Sequence, residues 1–355
     1  MFPHVLRAGE WFLRSGIQFA NGGVARYYRA DVERNQPVST EITGYAASAL
    51  VYLHALTGEA PYLERAVDAA RFLARQAWDS GKGAMPFEVE PAEFSYFFDC
   101  GIIVRGLLAV WRASGENEFR AVATEVGRRM AADFISEGGD FHPVLALPGK
   151  TPLERDSKRW SRSSACYQLK SAMAWWDLFE ATGDAAFREF YERALEFSLR
   201  QAPEFLPGHA DPLKVMDRLH AFAYFLEGLL PCAGELRSAM ALADGIAQVQ
   251  GLVAEIGARF LRSDVCAQLL RIRLYADWQG AAPLDREAAC READVLAGFQ
   301  AQSTDARVDG GFYFGRKGDE WVPHVSPVSG AFALQALALW ECRSQGVQPH
   351  RHLLI

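Results

Sequence analysis

Three junctions share one grammar: Thr57-Gly58-Glu59, Ser114-Gly115-Glu116 and Thr182-Gly183-Asp184 each end an apolar stretch at glycine and follow it with an acid. An aromatic, Tyr62, Phe119 or Phe187, then comes four residues after the glycine. Glycine just past a helix removes the Cβ penalty of a left-handed cap, and an acid suits the positive end of the helix that follows. The unit is therefore a helical hairpin. Its recurrence at intervals of roughly 55 to 70 residues marks an array of hairpins.

Periodicity extends the pattern. Ile42, Ala46, Ala49, Leu53 and Leu56 step by three and four, as do Tyr62, Ala66, Ala69 and Leu73. Further apolar helices are expected to start near residues 97, 163, 215, 264 and 327, with more charged partners near 116, 184, 234 and 284. The amphipathic segment from Val5 to Leu13 supplies a twelfth helix beside the last of the apolar ones. The expectation is an all-α fold, an (α/α)6 toroid of six helical hairpins occupying residues 1–355 as one domain. A chain of 355 residues that is 50% hydrophobic can bury such a core, and no Pro/Ser-rich linker divides it.

The hairpin turns are tight, whereas the return connections are long: Gly81 to Phe98, Gly138 to Trp160, Pro203 to Pro212 and Asp305 to Pro323. Long loops gathered at one end, where the apolar helices begin, form the usual place for a site. Arg7 and Glu10 interrupt the stretch a signal peptide needs, and no later segment approaches a membrane span, so the chain reads as cytoplasmic. The six scattered cysteines lack a Cys-x-x-Cys pair and read as reduced thiols. A net charge of −7 argues against a nucleic-acid surface.

The strings EITGYAASALVYLHALTGEAPYLERA, FFDCGIIVRGLLAVWRASGENEF, DRLHAFAYFLEGLL and VDGGFYF resemble the six-hairpin glycosidase superfamily over nearly the whole chain. That group includes unsaturated glucuronyl hydrolases, polysaccharide lyases and N-acylglucosamine 2-epimerases. The resemblance implies a saccharide substrate and a pocket lined by the polar residues that open the inner helices. On that basis Asp99, in Phe98-Asp99-Cys100-Gly101, is either a general acid or an N-terminal cap, and Glu41 is the second carboxylate under the same two readings. Asp217 and His220 stand three apart and share a helix face, which suits a proton shuttle in a lyase or epimerase, or a structural hydrogen bond.

The basic run Arg155-Asp156-Ser157-Lys158-Arg159-Trp160-Ser161-Arg162 precedes the third inner helix. Arg162, with Arg159, is placed to clamp an anionic group such as a uronate, and Trp160 to stack on a sugar face; a solvated loop is the plainer reading. Tyr96, Trp321 and His324 add to the same rim. Acid/base hydrolysis of an acidic saccharide needs no metal or other cofactor, and the expected partner is that saccharide alone. A different chemistry is kept open by Asp264-x-Cys266 with His324, an arrangement similar to the zinc site of protein prenyltransferases, although their glycine-rich basic string is missing ahead of it. A non-catalytic binding toroid is the remaining alternative.

Overall fold

The computed structural model describes residues 2–156, 159–343 and 350–355; Ser157 and Lys158 of the basic run lie outside the described residues. Twelve α-helices occur among the described residues: α1 (Pro3–Arg14), α2 (Thr40–Thr57), α3 (Ala60–Phe72), α4 (Phe97–Ser114), α5 (Asn117–Phe134), α6 (Leu169–Thr182), α7 (Ala185–Gln201), α8 (Pro212–Gly228), α9 (Leu236–Ile256), α10 (Ser263–Trp278), α11 (Arg286–Ala297) and α12 (Pro327–Arg343). The starts fall within about three residues of expectation, with α6 as the exception. The expected start near 163 is instead extended chain and a 3-10 turn (Cys166–Gln168), and α6 begins at Leu169. Residues from Ala165 onward are buried, so the apolar signal begins before the helix does.

The junction grammar has a full physical account. Gly58, Gly115 and Gly183 adopt φ of 76°, 77° and 74°, and each N–H donates at 2.8 Å to the carbonyl four residues back. The hydroxyl before each glycine accepts the N–H of the acid after it, at 3.2 Å in all three cases. Asp184 caps α7 by accepting from Ala186 N, whereas Glu59 and Glu116 make no side-chain cap and contribute charge alone. Tyr62, Phe119 and Phe187 are buried and anchor the second helix of each hairpin, each contributing about 2–3 kcal/mol by burial.

The chain divides into two compact units. One comprises Gln18–Arg26 and Pro37–Ala202, with hairpins α2/α3, α4/α5 and α6/α7. Its inner helices α2, α4 and α6 pack side by side and are buried around nearly their whole circumference, while α3, α5 and α7 bury only a stripe. Small residues permit the close approach. A Cβ built on Gly106 would lie 2.6 Å from the Gly44 carbonyl oxygen, and one on Gly101 would lie 2.4 Å from that of Ser171. Gly101→Ala is therefore expected to lose about 1–3 kcal/mol despite alanine's better helix propensity, because backbone has to move. Denaturant unfolding checks this; an unchanged midpoint would show that the α4–α6 contact yields freely.

The other unit comprises the chain up to Ile17, Tyr27–Gln36 and Pro203–Ile355. Here α10 packs between α8 and α12, and α9, α11 and α1 lie against α8, α10 and α12 respectively. Its core holds a fully buried ion pair, Arg271 to Glu227, with Arg271 also donating to Gln335 Oε1 at 3.0 Å and lying 4.0 Å above the Phe332 ring.

The long connections, expected as loops, carry three antiparallel sheets of very short strands. Strands β1 (Tyr28–Arg29), β2 (Arg34–Asn35), β3 (Phe94–Tyr96), β4 (Val144–Ala146), β5 (Thr151–Pro152), β6 (Leu261–Arg262), β7 (Gly315–Lys317), β8 (Glu320–Trp321) and β9 (His324–Val325) pair in the orders β2-β1-β9, β3-β4-β5 and β6-β7-β8. Two- and three-residue strands are too short to show an alternating pattern in sequence. Their effect is positional: β3 runs directly into α4 and β6 into α10, so Tyr96 and Arg262 are the residues that enter those helices. None of the six cysteines forms a disulfide; five are buried and Cys290 is exposed. Among the described residues no helix is long and apolar enough to cross a membrane.

Candidate active site

In the α2–α7 unit, the sequence candidates Glu41, Asp99 and Arg162 all come into electrostatic reach of Tyr96, and Glu41 into reach of Asp99. The helix crossing explains the carboxylate pair. Gly44 lies against the backbone of Ile102 and Ile103, so Glu41 and Asp99, each about one turn earlier, arrive together at the helix entrances. Neither residue is a helix cap. Ser39 caps α2, accepting from Ile42 N at 3.5 Å, and α4 has Tyr96 before its first residue with no side-chain cap. The capping reading of both carboxylates is thereby replaced.

Asp99 is 7% exposed, and its Oδ2 is buried without a hydrogen-bond partner among the described residues. Burial holds its carboxyl well above the usual carboxylate range, Glu41 adds to the rise and its own backbone N–H opposes it. Burial also pushes the half-buried Glu41 up to about 7. Tyr96 is raised by burial, with Asp99 and Glu41 adding and Arg162 opposing. Thr40 pins the neighbouring loop, its Oγ1 donating to Pro86 O at 2.7 Å and its N–H to Phe87 O at 3.1 Å. Phe87 in turn meets the Tyr96 ring edge-on at 5.5 Å, and Arg26 pairs with Glu88 at 2.8 Å.

Arg162 closes a 3-10 turn (Trp160–Arg162) seven residues before α6; it is half-buried and has no ion pair among the described residues. Arg159 is exposed and pairs with Asp156 at 3.6 Å, matching the solvated-loop reading for that residue. Trp160 packs edge-to-face on Tyr167 at 5.0 Å.

In the other unit Asp217 and His220 do not form a pair. Asp217 accepts from Arg262 Nη1 at 2.8 Å, and the rest of that guanidinium clamps Asp264 through Nε at 2.9 Å and Nη2 at 2.6 Å. His220 Nδ1 faces Gln268 Oε1 at 2.7 Å and Asp264 Oδ2 at 3.6 Å. Two acceptors at Nδ1 place the proton there. Burial brings His220 down to about 4, with Asp264 opposing and Arg262 reinforcing. Burial acts to raise Asp264, but Arg262 and His220 outweigh it and the net shift is downward.

Sequence reasoning missed Arg262 and Gln268. The spacing of Asp264 and Gln268, four apart on one helix face, was the available signal for the second; Arg262 gave none, because its role comes from β6.

The prenyltransferase-like set is not assembled. Asp264 is committed to Arg262, burial raises the Cys266 thiol above its ordinary value, and His324 stacks on Tyr27 at 4.5 Å. No group of three His, Cys, Asp or Glu residues that could hold a metal occurs among the described residues. Trp321 is 43% exposed and stacks on Tyr313 at 5.3 Å, leaving aromatic surface on the β7–β8 hairpin.

The two shifted groups give opposite pH dependences. Glu41 has a raised folded value, so its contribution is full below its unfolded value of about 4.5 and is lost as pH rises through about 7. His220 has a depressed folded value, so stability is lost as pH falls from about 6.5 toward 4. Glu41→Gln should accordingly gain in Tm on the parent between pH 4.5 and 7, and His220→Gln should gain on it between pH 6.5 and 4. Melting curves across pH test both; variant curves parallel to the parent would contradict the shifts.

No protein-family model matches this sequence, and no curated protein matches it. Solved structures do match. A sugar epimerase from a ruminal bacterium is 13% identical with a TM-score of 0.70, covering 98% of this chain and 97% of that one. Cellobiose 2-epimerase from Spirochaeta thermophila is 14% identical with a TM-score of 0.72, covering 96% and 97%. An inactive variant of an α-1,6-mannanase of Salegentibacter, in complex with α-1,6-mannotriose, is 15% identical with a TM-score of 0.61, covering 95% and 99%. The helix count, the hairpin order and these likenesses identify the chain as an all-α, six-hairpin (α/α)6 toroid.

Proposed function

We propose that this protein is a carbohydrate-active enzyme that hydrolyses a glycosidic bond of an acidic saccharide, with Asp99 as general acid and Glu41 as its carboxylate partner. The supporting observation is Asp99 itself: a buried carboxyl, raised by burial well above the usual carboxylate range, with an oxygen that no group among the described residues satisfies. A carboxyl in that state donates its proton to the glycosidic oxygen as the C–O bond breaks, and Glu41 takes a proton from the attacking water. Arg162, lacking a carboxylate partner among the described residues, holds the anionic group of the sugar. Tyr96 and Trp160 supply stacking surface. Asp217 orients Arg262 and takes no part in proton transfer.

A second reading rests on His220. Its imidazole, oriented through Nδ1 by Gln268 and Asp264, moves a proton at a sugar carbon, as a sugar epimerase or lyase requires. The two epimerase structures match with higher TM-scores than the mannanase does. The deciding experiment incubates the protein in D2O with unsaturated uronyl disaccharides, related acidic sugars and cellobiose, and analyses the products by NMR. New reducing ends without deuterium on carbon support hydrolysis. Deuterium incorporated at a sugar carbon, and abolished by His220→Gln, replaces it with epimerisation.

A further inference from the structure

A cleft of about 250 Å3 opens on the α8–α12 unit between α9, α10 and the connection that leads into α11. Its walls are apolar and small: Ala243, Ile246 and Ala247 from α9 and Ala282 from the connection. Its polar corner is built differently. Arg273 is 5% exposed and donates through Nε to Glu292 at 2.8 and 3.0 Å and through Nη2 to Gln250 Oε1 at 2.6 Å.

Two nitrogen atoms remain without a bond among the described residues. Nη1 of Arg273 has no partner among the described residues. Because a guanidinium only donates, Gln250 must present its oxygen to it, which leaves the Gln250 Nε2 donors unpartnered as well. Both residues line the cleft. Burial pushes Glu292 up to about 7, with Arg273 opposing. Asp285, the acid on the cleft wall, is exposed and accepts from Ala288 N as the cap of α11.

We infer that this cleft binds a short aliphatic carboxylate, its two oxygens on Arg273 Nη1 and Gln250 Nε2 and its hydrocarbon chain against Ala243, Ile246, Ala247 and Ala282. An anion without an apolar body, such as inorganic phosphate, leaves those walls in contact with water, and an uncharged chain leaves the two donors unmet. The volume admits a chain of roughly five to eight carbons. The inference uses none of the residues assigned to saccharide chemistry and stands or falls separately from that assignment.

Isothermal titration of the full-length protein with hexanoate, with saturation-transfer NMR as a second readout, tests it. Saturable binding is expected with a Kd on the order of 1 mM, the range for a ligand of this size. Ala247→Phe fills the cleft without touching the Arg273–Glu292 pair, and it should abolish binding while melting like the parent. Arg273→Lys keeps a cation for Glu292 but loses the fork, and should weaken binding at least tenfold. Hexanol should bind at least tenfold more weakly than hexanoate, and phosphate should not displace hexanoate. Absence of saturation by about 20 mM hexanoate, equal binding by a folded Ala247→Phe variant, equal binding of hexanol, or displacement by phosphate would each overturn the inference.

Discussion

Asparagine at position 99 is expected to lower turnover by roughly 10²- to 10⁴-fold, the range for loss of a positioned general acid, while leaving the fold intact. The substitution preserves shape and removes only the transferable proton, so kcat should fall with KM nearly unchanged. Stability should move the other way. The folded state holds Asp99 protonated far above its unfolded range, so its contribution is full at low pH and is lost as pH rises. Asp99→Asn abolishes that loss, and its Tm should equal or exceed that of the parent at pH 8 while the two converge in acid. Steady-state kinetics on the best acidic disaccharide, with melting curves at both pH values, check the pair of outcomes. Equal rates for the two proteins would remove Asp99 from the mechanism.

Arg271→Met is expected to be the most damaging single change in the α8–α12 unit, at about 3–5 kcal/mol. Arg271 and Glu227 are both fully buried, and the guanidinium also bonds Gln335 Oε1 and an Ile355 oxygen while lying over Phe332. Methionine replaces the packing volume but leaves the Glu227 carboxylate facing an apolar interior. The loss therefore belongs mainly to the stranded partner, and Arg271→Met/Glu227→Leu should recover most of it. Urea unfolding of the two variants separates these terms. A single-variant loss under about 1 kcal/mol, or a double variant no more stable than the single, would show that the pair is not the source.

The candidate site shows how far sequence reading reaches. Asp99 and Glu41 were legible because each falls in the first turn of an apolar helix, a position that periodicity locates well. Their meeting was not legible. It depends on Gly44 and Gly106 letting α2 and α4 approach until Gly44 touches the Ile103 backbone. Asp217 and His220 illustrate the opposite error. Spacing puts them on one helix face, but Arg262 arrives from β6, draws Asp217 to itself and leaves Asp264 and Gln268 to hold the imidazole.

The sequence by itself determined the hairpins. The hydroxyl, glycine, acid and aromatic at each junction act within a few residues of one another, so a left-handed glycine, an accepted N–H and a buried ring follow from local order alone. The pairing of α2 with α3, α4 with α5 and α6 with α7 comes with them. Only the tertiary structure decided which charges share a site. A carboxylate's protonation depends on burial and on neighbours delivered by other helices or by strands of two or three residues, and neither leaves a period in the sequence.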